Sequence, residues 1–172
     1  MTFYIGIDPG KTGAIAVIDE TGGLVGVFDM PLTESREFIN ALALKNILDA
    51  PGRVVCIEKV HAMPTDSKTS LSLFMRFYGA IEAIADLTGG ASFVRPQDWK
   101  RELDLIGPPV KYGTAIKRTP AERSAFKKLA KEKAVALAIE MYPGCEQYLK
   151  RKKDHDRAEA ILLAHYARVK TP

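Results

Sequence analysis

At 172 residues and 47% hydrophobic content, the chain is long enough for one compact domain with a sizeable core. No apolar run approaches the roughly 20 residues of a membrane span, no signal-peptide pattern opens the chain, and Cys56 and Cys145 form no zinc-like spacing with histidine, which together predict a reducing, cytoplasmic setting. The net charge of +4 conceals two halves of opposite sign: residues 1–94 carry 7 basic and 11 acidic side chains, residues 95–172 carry 18 and 10. Such polarity is expected of a face that meets a polyanion, and equally of a solvated lysine-rich surface.

The chain opens with an apolar run, Phe3 to Ile7, that ends abruptly in Asp8 and the turn Pro9-Gly10-Lys11-Thr12-Gly13. A second apolar run, Ala14 to Ile18, follows, so the pair reads as a hairpin with an acid at the end of a buried strand. A charge among apolar neighbours needs compensation, and either turn amides or a bound cation would supply it. Strands are predicted over 3–8, 13–19 and 23–29, with Gly22-Gly23 marking the second turn. Helical apolar spacing covers 35–48, and Pro51-Gly52 ends it. Residues 53–58 form a fourth strand closed by Glu58, and a polar loop over 59–69 leads to a long helix over 70–88. Gly89-Gly90 stops that helix, 91–94 is a fifth strand, and Pro96 starts a short helix containing Trp99. Residues 104–119 read as a flexible basic loop. Thr119-Pro120-Ala121-Glu122 is a capping box opening a helix to about 141, ended by Pro143-Gly144, and the last helix covers about 156–169. Three meander strands followed by two strand-helix units predict an α/β fold: a five-stranded mixed sheet flanked by helices.

Acids interrupt the apolar elements at three places. Asp8 and Glu58 each close a strand, and if those strands are parallel neighbours both carboxylates leave the same sheet edge. Asp156 and Glu159 are three residues apart and share a face where the last helix begins. That pair alone fits a helix N-terminus, with Asp154 or Asp156 as the cap, just as well as it fits a ligand set. Four convergent carboxylates would repel by on the order of 4 kcal/mol per close pair at an effective dielectric of 20, unless divalent cations hold them. All-oxygen ligation suits Mg²⁺ or Mn²⁺, and two such ions could clamp the attacking water and the leaving oxygen in phosphodiester cleavage.

Ile5-Gly6-Ile7-Asp8-Pro9-Gly10 with Thr12-Gly13, the strand-end Ile57-Glu58, and Asp156-Arg157-Ala158-Glu159-Ala160 resemble the motifs of RuvC-type Holliday-junction resolvases, in particular the short phage-type members. The resemblance spans nearly the whole chain. It implies a ribonuclease H-like fold in a single nuclease domain over 1–172, a site for two Mg²⁺ ions with Mn²⁺ as a substitute, and paired nicking of four-way DNA junctions by a homodimer in a bacterial or phage-infected cell. Carried over, the catalytic residues and metal ligands would be Asp8, Glu58, Asp156 and Glu159. The family's last acid is usually Asp, so Glu159 is longer by a methylene, and Asp154 stands near enough to replace Asp156.

In the loop after Glu58 the family often carries an aromatic wedge. Here the first candidate is His61, as wedge, as phosphate neighbour, or as a surface histidine without a role. Lys11, Trp99, Lys100, Lys131, Lys152 and Lys153 are the further candidate DNA contacts, joined by Lys111, Lys117, Arg118, Lys127, Lys128 and Lys133; solvated charge accounts for them equally well. The apolar set Phe74, Phe77, Tyr78 and Ile81 serves either the core or a twin helix across a two-fold axis. Three rivals remain. Asp8-x-Gly10-x-Thr12-Gly13 also resembles the first phosphate loop of actin-like ATPases, but the chain is too short for their two domains and shows no second such loop. A non-catalytic branched-DNA-binding module would be expected to lose one of the acids. A related nuclease acting on flaps or RNA would use the same site.

Overall fold

Side-chain alternation along β1 (Phe3–Asp8) decides how the sheet is covered. In the computed structural model, which describes residues 1–60, 67–107, 119–151 and 153–171, Ile5 and Ile7 enter one core while Tyr4 packs on the opposite one. By the same period Gly6 and Asp8 share the face of Tyr4. β1 pairs antiparallel with β2 (Ala14–Asp19), which pairs antiparallel with β3 (Leu24–Asp29). On its other side β1 pairs parallel with β4 (Arg53–Glu58), itself parallel to β5 (Ser92–Val94). The spatial order is β3-β2-β1-β4-β5, the five-stranded mixed sheet expected.

One face is covered by α1 (Ala41–Leu48) and α2 (Lys68–Leu87), which bury Leu44, Leu48, Phe77 and Ile81 against Ile5, Ile7, Ile15 and Ile57. The other is covered by α3 (Pro96–Glu102), α4 (Pro120–Met141) and α5 (His155–Lys170), packed over Ala14, Ala16, Ile18 and Cys56. The capping box of α4 is formed: Glu122 N donates to Thr119 Oγ1 at 3.2 Å and Thr119 N to Glu122 Oε2 at 2.7 Å. Among the described residues no helix is long and apolar enough to cross a membrane.

One expectation needs correction and two are made more definite. The helix predicted over 35–48 begins only at Ala41, because Asn40 accepts from Ala43 N at 3.1 Å and caps it there, while the preceding residues fold into a turn closed by the Leu32–Ile39 bridge. Pro143-Gly144 does more than stop α4: Pro143–Tyr148 forms a 3₁₀ turn that feeds the chain towards α5. On α2, Phe77, Tyr78 and Ile81 are at most 5% exposed and belong to this chain's own core, whereas Met75, Gly79 and Ala83 face outward.

α5 lies unusually close to β1. A Cβ added at Gly6 would sit 2.2 Å from both the Ala160 carbonyl oxygen and the Ala164 nitrogen, so helix backbone rests directly on strand backbone. Ala160 and Ala164, both fully buried, keep that face of the helix flat. Gly6→Ala should therefore destabilise the protein by at least about 2 kcal/mol, since neither backbone can give way cheaply. Urea unfolding checks this; an unchanged midpoint would contradict the contact.

Candidate metal centre

β1 and β4 are parallel neighbours whose register pairs Gly6 with Cys56 and Ile7 with Ile57. Asp8 and Glu58, each the last residue of its strand, therefore leave the same sheet edge on the face that α5 covers. Glu159 reaches them from the first turns of α5, one residue before the Ala160 that lies over Gly6. Ligand oxygens of Asp8, Glu58 and Glu159 all lie within 4.8 Å of one another. Glu58 is 8% exposed and the other two are half-buried.

Neighbouring groups from α3 answer this charge. Lys100 donates to Glu159 Oε2 at 2.8 Å, and its Nζ stands 3.8 Å from Glu58 Oε1. The Trp99 indole donates from Nε1 to Glu58 Oε1 at 3.0 Å. Burial alone would lower the Lys100 pKa, but Glu159, Glu58 and Asp8 outweigh it and hold the ammonium above its ordinary value. Burial first, then the charges of Glu159, Glu58 and Asp156, push the Asp8 carboxyl well above its ordinary range, with Lys100 in opposition. Glu58 is raised by burial and by Glu159, eased by Lys100 and by the Trp99 N–H. Among the described residues no turn amide donates to the Asp8 side chain. The turn serves geometry instead: a Cβ at Gly13 would meet the Asp8 carbonyl oxygen at 2.1 Å.

Asp156 stands beside this trio rather than within it. His155 Nε2 lies 2.8 Å from its Oδ1 and 2.6 Å from the Lys131 ammonium. Burial raises its carboxyl; His155 and Lys131 oppose that, and Glu159 adds to it. Asp154 is committed elsewhere. It is 1% exposed, accepts from Arg151 N at 2.7 Å and Arg151 Nε at 2.8 Å, and makes no side-chain capping bond to α5.

The expected DNA contacts fall into four groups. Lys11 and Lys153 are exposed on the rim of an open cleft of about 610 Å³ that has Asp156 in its wall. Lys131 is exposed beside His155, and Lys127, Lys128 and Lys133 are exposed on the same helix. Trp99 is corrected outright: it is 0% exposed and its hydrogen bond points inward, so it offers nucleic acid no surface, and Lys100 beside it is turned towards the acids. His61, Lys152, Lys111, Lys117 and Arg118 lie outside the described residues. Sequence reasoning missed the inward roles of Trp99 and Lys100. The one available signal was that their helix follows β5, the neighbour of the strand carrying Glu58.

An all-oxygen set of three carboxylates at this spacing fits a hard divalent cation such as Mg²⁺ or Mn²⁺. Without a cation the set is a liability with a definite pH dependence. A carboxyl whose folded pKa lies above its ordinary value near 3.8 binds more protons folded than unfolded, so stability falls as pH rises through that window. In chelator-treated protein Asp8→Asn should therefore raise the urea midpoint at pH 7, and the advantage should shrink as pH falls towards 4. An Asn variant less stable than the wild type at pH 7 would contradict the assignment.

Comparison with solved structures finds similar folds. Thermus thermophilus RuvC in complex with Holliday junction substrate is 16% identical with a TM-score of 0.64, covering 99% of this chain and 98% of that one. A second Thermus thermophilus RuvC structure is 19% identical with a TM-score of 0.56, covering 98% and 97%. No family model and no curated protein matches the sequence. At these identities the likeness establishes the fold: a ribonuclease H-like mixed sheet of RuvC type, extending over nearly the whole chain.

Proposed function

We propose that this chain is a divalent-cation-dependent endonuclease that resolves four-way DNA junctions by paired symmetric nicks, residues 1–172 serving as one nuclease domain. The observation that supports this reading is the convergence of Asp8, Glu58 and Glu159 at one sheet edge, in a fold shared with a RuvC solved on Holliday junction substrate. Mg²⁺, with Mn²⁺ as a substitute, would be held by that trio, and Asp156 at its side completes the four acids for two ions. Bound there, such ions supply the Lewis acidity that activates water and the charge that steadies the leaving oxygen of a phosphodiester.

The chain's own residues prepare the rest. Lys100 spans Glu159 and Glu58 and keeps mutually repelling carboxylates in register. His155 orients Asp156. Lys11, Lys131 and Lys153, exposed around the same end of α5, are placed for phosphate oxygens, contacts that position a strand without reading its sequence. Two symmetric cuts require two sites facing one junction, hence a homodimer. On α2 the outward face with Met75, Gly79 and Ala83 is the surface left for a partner once Phe77 and Ile81 are spent on the core. The setting is recombination and repair in the cytoplasm of a bacterium or a phage-infected cell.

Purified protein with Mg²⁺ should cleave a four-way junction in preference to flap, RNA–DNA hybrid and linear duplex. Asp8→Asn and Glu58→Gln should lose cleavage by orders of magnitude yet still bind the junction, because affinity comes from phosphate contacts on the basic half. Sedimentation should find two chains per junction. Cleavage retained by Asp8→Asn would contradict the metal site. A preference for flap or hybrid would transfer the reading to a related nuclease, and one chain per junction would remove the paired cut.

A further inference from the structure

Trp99 is the largest fully buried side chain of the protein, and its only tryptophan. A buried indole needs a partner for its N–H. This one has a carboxylate of the candidate metal centre, Glu58, with Nε1 3.0 Å from Oε1. The face of the same ring carries the Lys100 ammonium 4.9 Å from its centroid, so two charged groups of the site rest on one apolar plate. Lys100 is 3.8 Å from Glu58 Oε1, beyond hydrogen-bond length, and among the described residues Oε2 of Glu58 has no hydrogen-bond partner. Among the described residues the indole N–H is therefore the one directional contact that sets how the Glu58 carboxylate faces. Filling the core would not require it; an apolar bicyclic ring of the same shape would fill the same space.

We propose that Trp99 is a positioning residue for Glu58: its N–H ties one carboxylate oxygen back to the protein and leaves the other presented to the divalent cation that Asp8 and Glu159 share. The proposal rests on reading the acid trio as a cation site. The physical reason is that a Glu carboxylate turns about its last torsion with little resistance. A ligand held by a donor behind it loses less freedom on coordination, and removal of such supporting partners typically lowers metal affinity about 10- to 100-fold.

Two measurements on the full chain test it. Because Trp99 is the only tryptophan, the ¹⁵N-labelled protein gives one indole N–H resonance, which should move on Glu58→Gln and again on titration with Mg²⁺. Calorimetric titration with Mn²⁺ should show about tenfold weaker binding for Trp99→Phe. The same loss is expected when Trp99 is replaced by benzothienylalanine, which keeps the bicyclic shape and lacks only the N–H donor. If Trp99→Phe fails to fold, the benzothienyl protein and the indole resonance still decide. Wild-type Mn²⁺ affinity in the folded benzothienyl protein, or an indole resonance unmoved at saturating Mg²⁺, would reduce Trp99 to core filling. A wild type that binds no Mn²⁺ would instead overturn the cation site itself, and this outcome is distinct from the others.

Discussion

Direct contact between the backbones of α5 and β1 is the constraint on which the site depends. Gly6 has no side chain to hold the helix off, and Ala160 and Ala164 present a flat face to it. The closeness sets the chemistry because Asp8 lies two residues beyond Gly6 on the same face, while Glu159 immediately precedes Ala160. A helix held a side chain's width further out would leave Glu159 short of the sheet edge. The parallel register of β1 with β4 then adds Glu58 without further adjustment. One close approach and one register bring together three acids separated by 151 residues between the first and the last.

Such an arrangement works against folding. Two unit charges 4 Å apart repel by about 4 kcal/mol at an effective dielectric of 20, and the trio contains three pairs within 4.8 Å. Lys100 offsets part of this, yet one ammonium among three carboxylates leaves charge uncompensated, and that charge adds to burial in raising the Asp8 carboxyl. A divalent cation would relieve that charge. The surrounding core supplies the stability that lets the strain persist. Ile5, Ile7, Ile57 and the buried alanines of α5 are all at or near 0% exposure.

The sheet was largely legible in the sequence because its punctuation is local. Pro9-Gly10, Gly22-Gly23, Pro51-Gly52 and Gly89-Gly90 mark the strand and helix ends, and the capping box at Thr119 marks the start of α4. The acids at strand ends were legible for the same reason: a carboxylate closing an apolar run stands out. What was hidden depends on tertiary contact. Asn40 had to be seen bonding to Ala43 before the start of α1 could be placed. Asp154 and Asp156 stand two residues apart at the same helix start, and the two bonds from Arg151 separate a buried structural acid from one beside the site. Trp99 reads as a surface aromatic beside a lysine until α3 is seen folding back over β4 to put it under Glu58. On α2, periodicity marks an apolar face without saying whether the chain's own sheet or a second copy covers it; burial assigns Phe77 and Ile81 to the sheet.

The measurement that bears most directly on this account is anomalous scattering from crystals soaked in Mn²⁺. The account predicts density within ligand distance of the Asp8, Glu58 and Glu159 carboxylates, with the Lys100 ammonium moved off Glu159. Crystals in which Lys100 still bridges Glu159 and Glu58, with no anomalous peak among the three acids at millimolar Mn²⁺, would contradict it.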